Sequence, residues 1–326
     1  MSEQILLSLL SDGQFHSGEE LGDRLSISRA AVWKQLQKIQ QLGIELESVK
    51  GRGYRIPGGV DLLKPMELSD AFQQVPTALA GLSILSTTDS TNKQVVKYLN
   101  NGGESPFLCS CEQQTDGRGR RGRVWHSPYA ENLYFSLSWK FQAGASVLEG
   151  LSLAVGVVIA EALRAMGAPQ CSLKWPNDIV YEGKKLGGIL IELTGDIEGP
   201  CQVIIGVGIN VNMRAKSTDI DQPWTDLSKV MPEGLSRTDL LIDLVKALLE
   251  MLQDYEQNGF AGYRAKFEAL NTHQGESVCL ILGNKKIYGT VLGIEISGAL
   301  VVETANGREV FNGGEISLRG ADDTRV

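Results

Sequence analysis

The chain is poor in cysteine and histidine and has no long apolar run. Its five cysteines (Cys109, Cys111, Cys171, Cys201 and Cys279) are odd in number and form no C-x-x-C pair. That excludes a disulfide framework and leads to the expectation of a reducing, cytoplasmic compartment. His16, His126 and His273 show no metal-ligand spacing, so each reads as structural and no protein-held metal is expected. No stretch of about 18 apolar residues occurs, so no transmembrane helix is expected. Met1-Ser2-Glu3-Gln4 places no basic stretch before its short apolar run, which argues against a secretory signal.

Composition is otherwise ordinary: 42% hydrophobic and 21% charged over 326 residues, which excludes a mostly disordered chain. The length exceeds what one core usually serves, so two or three domains are expected. The net charge of −8 is carried entirely beyond residue 57, because residues 1–57 hold seven basic and seven acidic side chains. Within residues 24–57, seven basic residues face only Glu45 and Glu47. Such asymmetry suggests an anionic partner at the N-terminus.

Ile5, Leu6, Leu9 and Leu10 repeat at helical spacing up to Asp12-Gly13. Ser17-Gly18-Glu19-Glu20 has the form of a capping box and opens a helix to about Leu25. Ser28 can cap a second helix with Val32, Leu36, Ile39 and Leu42 on one face, ended by Gly43. Ile44, Leu46, Tyr54 and Ile56 then flank Lys50-Gly51-Arg52-Gly53, a hairpin with a basic tip. The pattern resembles a winged-helix DNA-binding domain. Ser28, Arg29, Trp33 and Lys34 would face the major groove, and Lys50 and Arg52 the phosphates. Trp33 either contacts DNA or packs under the wing.

Pro57-Gly58-Gly59 marks a boundary. Strands are expected at 82–87, 107–112, 133–141, 173–175, 179–181, 186–193 and 203–211, with helices at 92–100, 147–166 and 240–255, an α+β layer. Gly117, Gly119 and Gly122 spell G-x-G-x-x-G, but four arginines and Trp125 follow in place of an apolar helix. A dinucleotide fold is therefore rejected. Glycine admits close backbone approach and arginine grips carboxylate or phosphate, so the loop suits a phosphate-bearing small ligand better than a nucleic-acid strip. Lys174-Trp175-Pro176-Asn177-Asp178 and Lys184-Lys185-Leu186-Gly187-Gly188 set lysines in strands, where an unpaired ammonium is costly, so anions are expected nearby. Ser90-Thr91-Asn92-Lys93 fits S-x-x-K but lacks the partner motifs of a β-lactamase. After residue 271, short strands with turns at Gly283-Asn284 and Asn306-Gly307 point to a small β-barrel.

D-S-T-N at 89–92, G-R-G-R-R-G-R-x-W at 117–125, K-W-P-N-D at 174–178, K-L-G-G-I-L at 185–190 and G-x-G-I-N at 206–210 follow in that order behind the winged helix. Essentially the whole chain resembles the bifunctional biotin–protein ligase and biotin operon repressor family. The resemblance implies three units: a winged helix (1–60), a catalytic domain (61–270) and an SH3-like domain (271–326). It implies biotin, ATP and Mg2+, a biotin carboxyl carrier protein, operator DNA, a ligand-dependent homodimer and no membrane. Ser90, Thr91, Asn92, Gln114, Arg118, Gly119 and Arg120 would hold biotin or its adenylate. Lys185, Arg118 and Asp178 would serve catalysis, with Lys185 at the reacting carboxylate and α-phosphate. Gly117, Arg120, Arg123, Lys174, Asn177 and Asn210 would meet the nucleotide, with Trp125 closing over the ligand. Residues 213–224 resemble the family's nucleotide-ordering loop, and Gly313-Gly314-Glu315 is a candidate for facing nucleotide or carrier. Asp178 reads equally as a metal contact or a helper to a base. A lipoate ligase and a biotin-sensing repressor without catalysis are the alternatives.

Overall fold

Serine caps shape the N-terminal sixty residues. The computed structural model describes residues 2–142, 144, 148–195, 199–214, 220, 222–231, 235–313 and 316–320. Helices α1 (Ser2–Leu10), α2 (Gly18–Leu25) and α3 (Arg29–Gln41) come first. Ser17 Oγ accepts from the Glu20 N–H at 3.0 Å and Ser28 Oγ from the Ala31 N–H at 3.3 Å, which satisfies donors that a helix start leaves open. Glu20 does not complete the expected capping box; its carboxylate turns to His16 and Arg24. Leu6, Leu10, Leu21, Val32, Leu36 and Ile39 bury one face of each helix in a common core.

The wing consists of β1 (Glu47–Val49) and β2 (Gly53–Arg55), shorter than the apolar pattern suggested. It is fastened at its base, where His16 and Tyr54 exchange two backbone hydrogen bonds of 2.9 Å. Arg52 and Arg55 both lie over the Phe15 ring, at 4.2 and 4.5 Å. Pro57-Gly58-Gly59 turns the chain back, and the Val60 N–H donates to Ser11 O. Helix α4 (Pro65–Gln73) was not expected, because only Leu68 and Phe72 on it are buried and two residues make a faint periodicity.

The central sheet contains β3 (Gly81–Thr88), β4 (Phe107–Gln114), β5 (Asn132–Phe141), β6 (Cys171–Lys174), β7 (Asp178–Tyr181), β8 (Lys184–Gly195) and β9 (Cys201–Asn210). Their order is β3-β4-β5-β9-β8-β7-β6. Helix α5 (Thr91–Asn100) connects the parallel pair β3 and β4, and the remaining pairs are antiparallel. Strand alternation separates two faces. On β9, Val203, Ile205, Val207 and Ile209 enter the core beneath α6 (Leu151–Ala165), α7 (Arg237–Asn258) and α8 (Ala261–Leu270). Ile204 packs with Val95 of α5 on the opposite face, which it shares with Gly206, Gly208 and Asn210. Helix α8 also escaped the sequence reading. All five cysteines are free and buried, and burial pushes the Cys109 and Cys171 thiols up to about 12.

The C-terminal strands β10 (Ser277–Leu282), β11 (Lys285–Ile294), β12 (Leu300–Thr304), β13 (Gly307–Phe311) and β14 (Ile316–Gly320) form an antiparallel sheet ordered β13-β12-β11-β10-β14. The expected small all-β unit is there. Its inner residues Val278, Leu280, Val291 and Leu300 continue the central core without a break.

One buried cation ties the N-terminal region to the sheet. Arg237, its side chain 2% exposed, opens α7. Its guanidinium donates to Glu112 Oε2 at 2.5 Å, to the Asn132 carbonyl at 2.9 Å and to the Asp61 carbonyl. The other Glu112 oxygen accepts the Leu63 N–H at 2.7 Å. Removing one member of such a pair leaves the other charge buried and unpaired, which typically costs about 3–5 kcal/mol. Arg237→Met is therefore expected to lower unfolding stability by about that amount, with Arg237→Met/Glu112→Leu recovering part of it. Urea denaturation checks this; an unchanged midpoint in the single variant would count against the role given to the pair.

Candidate active site

Glycines open a groove on the α5 face of the sheet. A Cβ on Gly208 would stand 2.6 Å from the Trp125 ring, and one on Gly206 2.3 Å from Asn92 Oδ1. Only glycine lets both side chains lie on the strand backbone. Gly188 also touches Trp125, whereas Gly187 points into the core toward Ile179 and Ile209. The bare wall of the groove is thus Gly188 with Gly206 and Gly208, and Gly187 takes no part in it.

A β-bulge aims the lysine. Ile179 pairs with Gly187, but the next residue of β7, Val180, pairs with Lys185. Leu186 is the extra residue, fully buried in the core. The bulge moves Lys185 onto the groove face, where its Cε stands 3.5 Å from the Cβ position of Gly188. Its ammonium pairs with Asp178 at 2.8 Å, with the two side chains only 17% and 20% exposed, and lies 5.4 Å from the Trp125 ring centre.

The arginine-glycine loop is a folded hairpin. Arg118 bridges Val124, the Gly119 N–H donates to Arg123 O at 2.7 Å, and the Trp125 N–H donates to Gly117 O at 2.8 Å. Arg121 turns the tip at φ +59°. Arg120 Nη1 donates to Asn177 Oδ1 at 3.0 Å. Burial lowers the pKa of this guanidinium, and Asp178 works against that shift. Asp116 pairs with Lys93 at 2.5 Å, which holds its charge on a lysine outside the loop.

The opposite end of the groove is polar and neutral. Ser90 stands at the start of α5 without a side-chain cap bond, and its hydroxyl lines the groove. Gln114 Oε1 accepts from the Thr91 N–H at 2.9 Å, and Asn92 is 4% exposed. Ser90, Thr91, Asn92, Gln114, Arg118, Gly119, Arg120, Arg123, Trp125, Lys174, Asn177, Asp178 and Lys185 all line one cavity of about 640 Å3. An adjoining cavity of about 500 Å3 shares Trp125 and Lys185 and adds Asn210, Met213, Ile220 and Trp224. Asn210 Nδ2 donates to the Thr225 carbonyl at 3.0 Å, which anchors the 223–225 segment beside Lys185. Residues 215–219 and 221 of the expected nucleotide loop, and Gly314 and Glu315, lie outside the described residues.

Three contributors escaped the sequence reading. Arg319 of β14 lines both cavities, yet a single arginine in a short strand carries no motif. Ser136 and Glu192 reach the Asn92 side chain, which only the strand register discloses. Among the described residues no three His, Cys, Asp or Glu side chains gather as a metal site, and no helix is long and apolar enough to cross a membrane.

Away from the groove, Ser28, Arg29, Lys34, Lys50 and Arg52 are all exposed along α3 and the wing. Trp33 is 52% exposed, so it does not pack under the wing.

Comparison with known proteins agrees with this layout. Residues 84–210 match the Biotin/lipoate A/B protein ligase family, residues 2–55 an HTH domain, and residues 273–319 the Biotin protein ligase C terminal domain. The bifunctional ligase/repressor BirA of Salmonella typhimurium is 41% identical over 322 residues, and that of Escherichia coli 40% over 321, each covering 97% of both chains. A solved structure of biotin protein ligase from Aquifex aeolicus in complex with biotin and ATP superposes with a TM-score of 0.65. It is 31% identical and covers 74% of this chain and 99% of its own. Matched from the winged helix through to the last strands, the chain belongs to the bifunctional biotin ligase/repressor family.

Proposed function

We propose that the chain condenses biotin with ATP to biotinyl-5′-adenylate, transfers the biotinyl group to a lysine of a biotin carboxyl carrier protein, and represses transcription through its winged helix. The observation that carries the reading is the two-ended groove. One end is lined by neutral hydrogen-bonding side chains, the other by Lys185, Lys174, Arg120 and Arg123, with Arg118 nearer Glu192. A ligand with a polar ring, an apolar tail and a terminal anion fits that order.

Ser90, Thr91, Asn92 and Gln114 offer the ureido ring donors and acceptors, and Gly188 leaves room for the tail. The biotin carboxylate attacks the α-phosphorus, the bond to the bridging oxygen breaks, and pyrophosphate leaves. Two anions must approach each other, and one charge pair at 4 Å is worth about 4 kcal/mol at an effective dielectric of about 20. Lys185 supplies that charge once the ligand's anions displace Asp178 from it, and Arg118 adds a second cation on the lining. Gly117, Arg120, Arg123, Lys174, Asn177 and Asn210 serve the nucleotide, and Trp125, whose ring lies on Gly188 and Gly208 here, lifts from them to cover the ligand. In the second step the carrier's lysine nitrogen, having lost its proton, attacks the acyl carbon, and AMP departs. Mg2+ enters with the triphosphate as part of the substrate, since that ion keeps its waters and takes few protein ligands; Asp178 is the carboxylate on the groove lining that it can meet. The units 1–60, 61–270 and 271–326 divide DNA binding, catalysis and a C-terminal module, and the protein works in the cytoplasm. Biotin-dependent ATP–pyrophosphate exchange tests the reading; exchange with lipoate alone, or with neither acid, would overturn it.

Lys185→Met is expected to slow adenylation by about 30-fold or more, the loss of a charge-assisted contact of roughly 2–4 kcal/mol. Single-turnover kinetics at the wild-type rate would remove Lys185 from its role. Lys50→Ala/Arg52→Ala should weaken operator binding and reduce the salt slope by about 0.9 per lost phosphate contact, with ligation intact. Loss of ligation with DNA affinity retained would refute the division of labour. The adenylate, gripped by the arginine hairpin, should drive formation of a two-fold dimer that sets two winged helices on a symmetric operator. Sedimentation at micromolar protein with saturating adenylate should show a doubled mass, and a persistent monomer would reject the dimer switch.

A further inference from the structure

The neutral end of the groove is held from behind by a carboxylate. Glu192 lies on β8 on the same face as Gly188 and Leu190, beyond the ligand wall. Its Oε2 accepts from Asn92 Nδ2 at 2.7 Å. Asn92 Oδ1 in turn lies 2.5 Å from Ser136 Oγ, and Ser136 Oγ lies 2.7 Å from Thr91 Oγ1. Asn92 and Thr91 are each 4% exposed and Ser136 is fully buried. The second Glu192 oxygen is 3.7 Å from Arg118 Nη2, with the two side chains 33% and 39% exposed.

Proton counting gives this chain a direction. An ionised carboxylate only accepts, so the Asn92 amide must present its NH2 to Glu192 and its carbonyl to Ser136. Ser136 has one proton, and the Asn92 carbonyl takes it. The Thr91 oxygen is then spared the Ser136 proton. Whether Thr91 gives its own proton to Ser136 or to Gln114, both lone pairs of its oxygen then stay free to accept, where a reversed Asn92 amide would leave only one. With the Asn92 amide reversed, Ser136 would accept from it and spend its own proton on Thr91. The Arg118 contact is long and half-exposed, a geometry that contributes little, so orientation is the larger effect of Glu192.

We propose that Glu192 is a positioning and specificity-determining residue: by fixing the Asn92 amide it sets the ring end of the groove as a hydrogen-bond acceptor, and so selects a cyclic urea with free ring N–H groups. The proposal rests on the biotin ligase reading and adds the residue that sets its ring selectivity.

Two variants of the full chain test it. Glu192→Leu removes the acceptor, and Glu192→Gln keeps one but lets the paired amides turn over. Biotin affinity without ATP should fall about tenfold in the first and about threefold in the second, the range expected for hydrogen bonds to charged and neutral partners. The KM for ATP, and kcat at saturating biotin, should stay near wild type. The preference for biotin over biotin methylated on a ring nitrogen should shrink in Glu192→Leu, a change that general loosening of the fold would not produce. Unchanged biotin affinity in Glu192→Leu, equal loss in both variants, or a matching rise in the KM for ATP would each overturn the proposal. A wild-type protein that binds no biotin would overturn the ligase reading itself, and this proposal with it.

Discussion

Between Lys185 and Gly187, β8 carries one residue more than its partner β7, and that residue is Leu186. In an unbroken strand Lys185 would share the face of Gly187 and Ile189 and point into the core. An ammonium there would be desolvated without a partner, and its energetic cost would exceed anything the surrounding apolar contacts could return. With Leu186 taken into the core instead, Lys185 faces the groove, its backbone pairs with Pro223 and Thr225, and its ammonium meets Asp178. The cation's position, the anchoring of the 223–225 segment and the boundary between the two cavities all follow from that single extra residue.

The second constraint is the fit of Trp125 on bare backbone. Its ring lies against Gly188 and Gly208, and its Nε1 is buried without a hydrogen-bond partner among the described residues. An unsatisfied donor at the boundary of two cavities is a cost that an acceptor on a ligand would remove. The hairpin that carries Trp125 concentrates four arginines on a chain of net charge −8. Local sign thus departs from global sign, and the field inside the groove is the one that a phosphate-bearing ligand meets.

Legibility in the sequence followed the reach of each signal. K-W-P-N-D and G-R-G-R-R-G-R-x-W are contiguous, and residues on both motifs line the same cavity. The helix caps Ser17 and Ser28 were equally visible, because capping acts within four residues. Helix α4 is hidden because only Leu68 and Phe72 on it are buried, a period too weak to read; α8 does carry Tyr263, Phe267 and Leu270 at helical spacing, a signal its short length leaves easy to miss. Glu192, Ser136 and Arg319 were hidden for a different reason. Each reaches the groove or Asn92 through strand register, and register is a long-range property that no local spacing reports. The bulge at Leu186 belongs to the same class: K-L-G-G reads as plain alternation until β7 is laid beside it.

The segment leaving the hairpin touches both halves of the molecule. Ser127 Oγ donates to the Trp125 carbonyl and accepts from Gln114 Nε2, while the Pro128 carbonyl accepts the Tyr134 hydroxyl. Tyr129 and Ala130 are then buried in the same core as Leu6, Leu10 and Ile56 of the N-terminal helices. The Ala130 N–H donates to the carbonyl of Glu112, whose side chain meets Arg237 and Leu63. Three residues, 126–128, therefore separate the ring on the groove floor from the packing of the winged helix. A close-packed interior transmits displacement rather than absorbing it. A ligand that touches Trp125 therefore acts on a segment whose next buried ring, Tyr129, belongs to the N-terminal core.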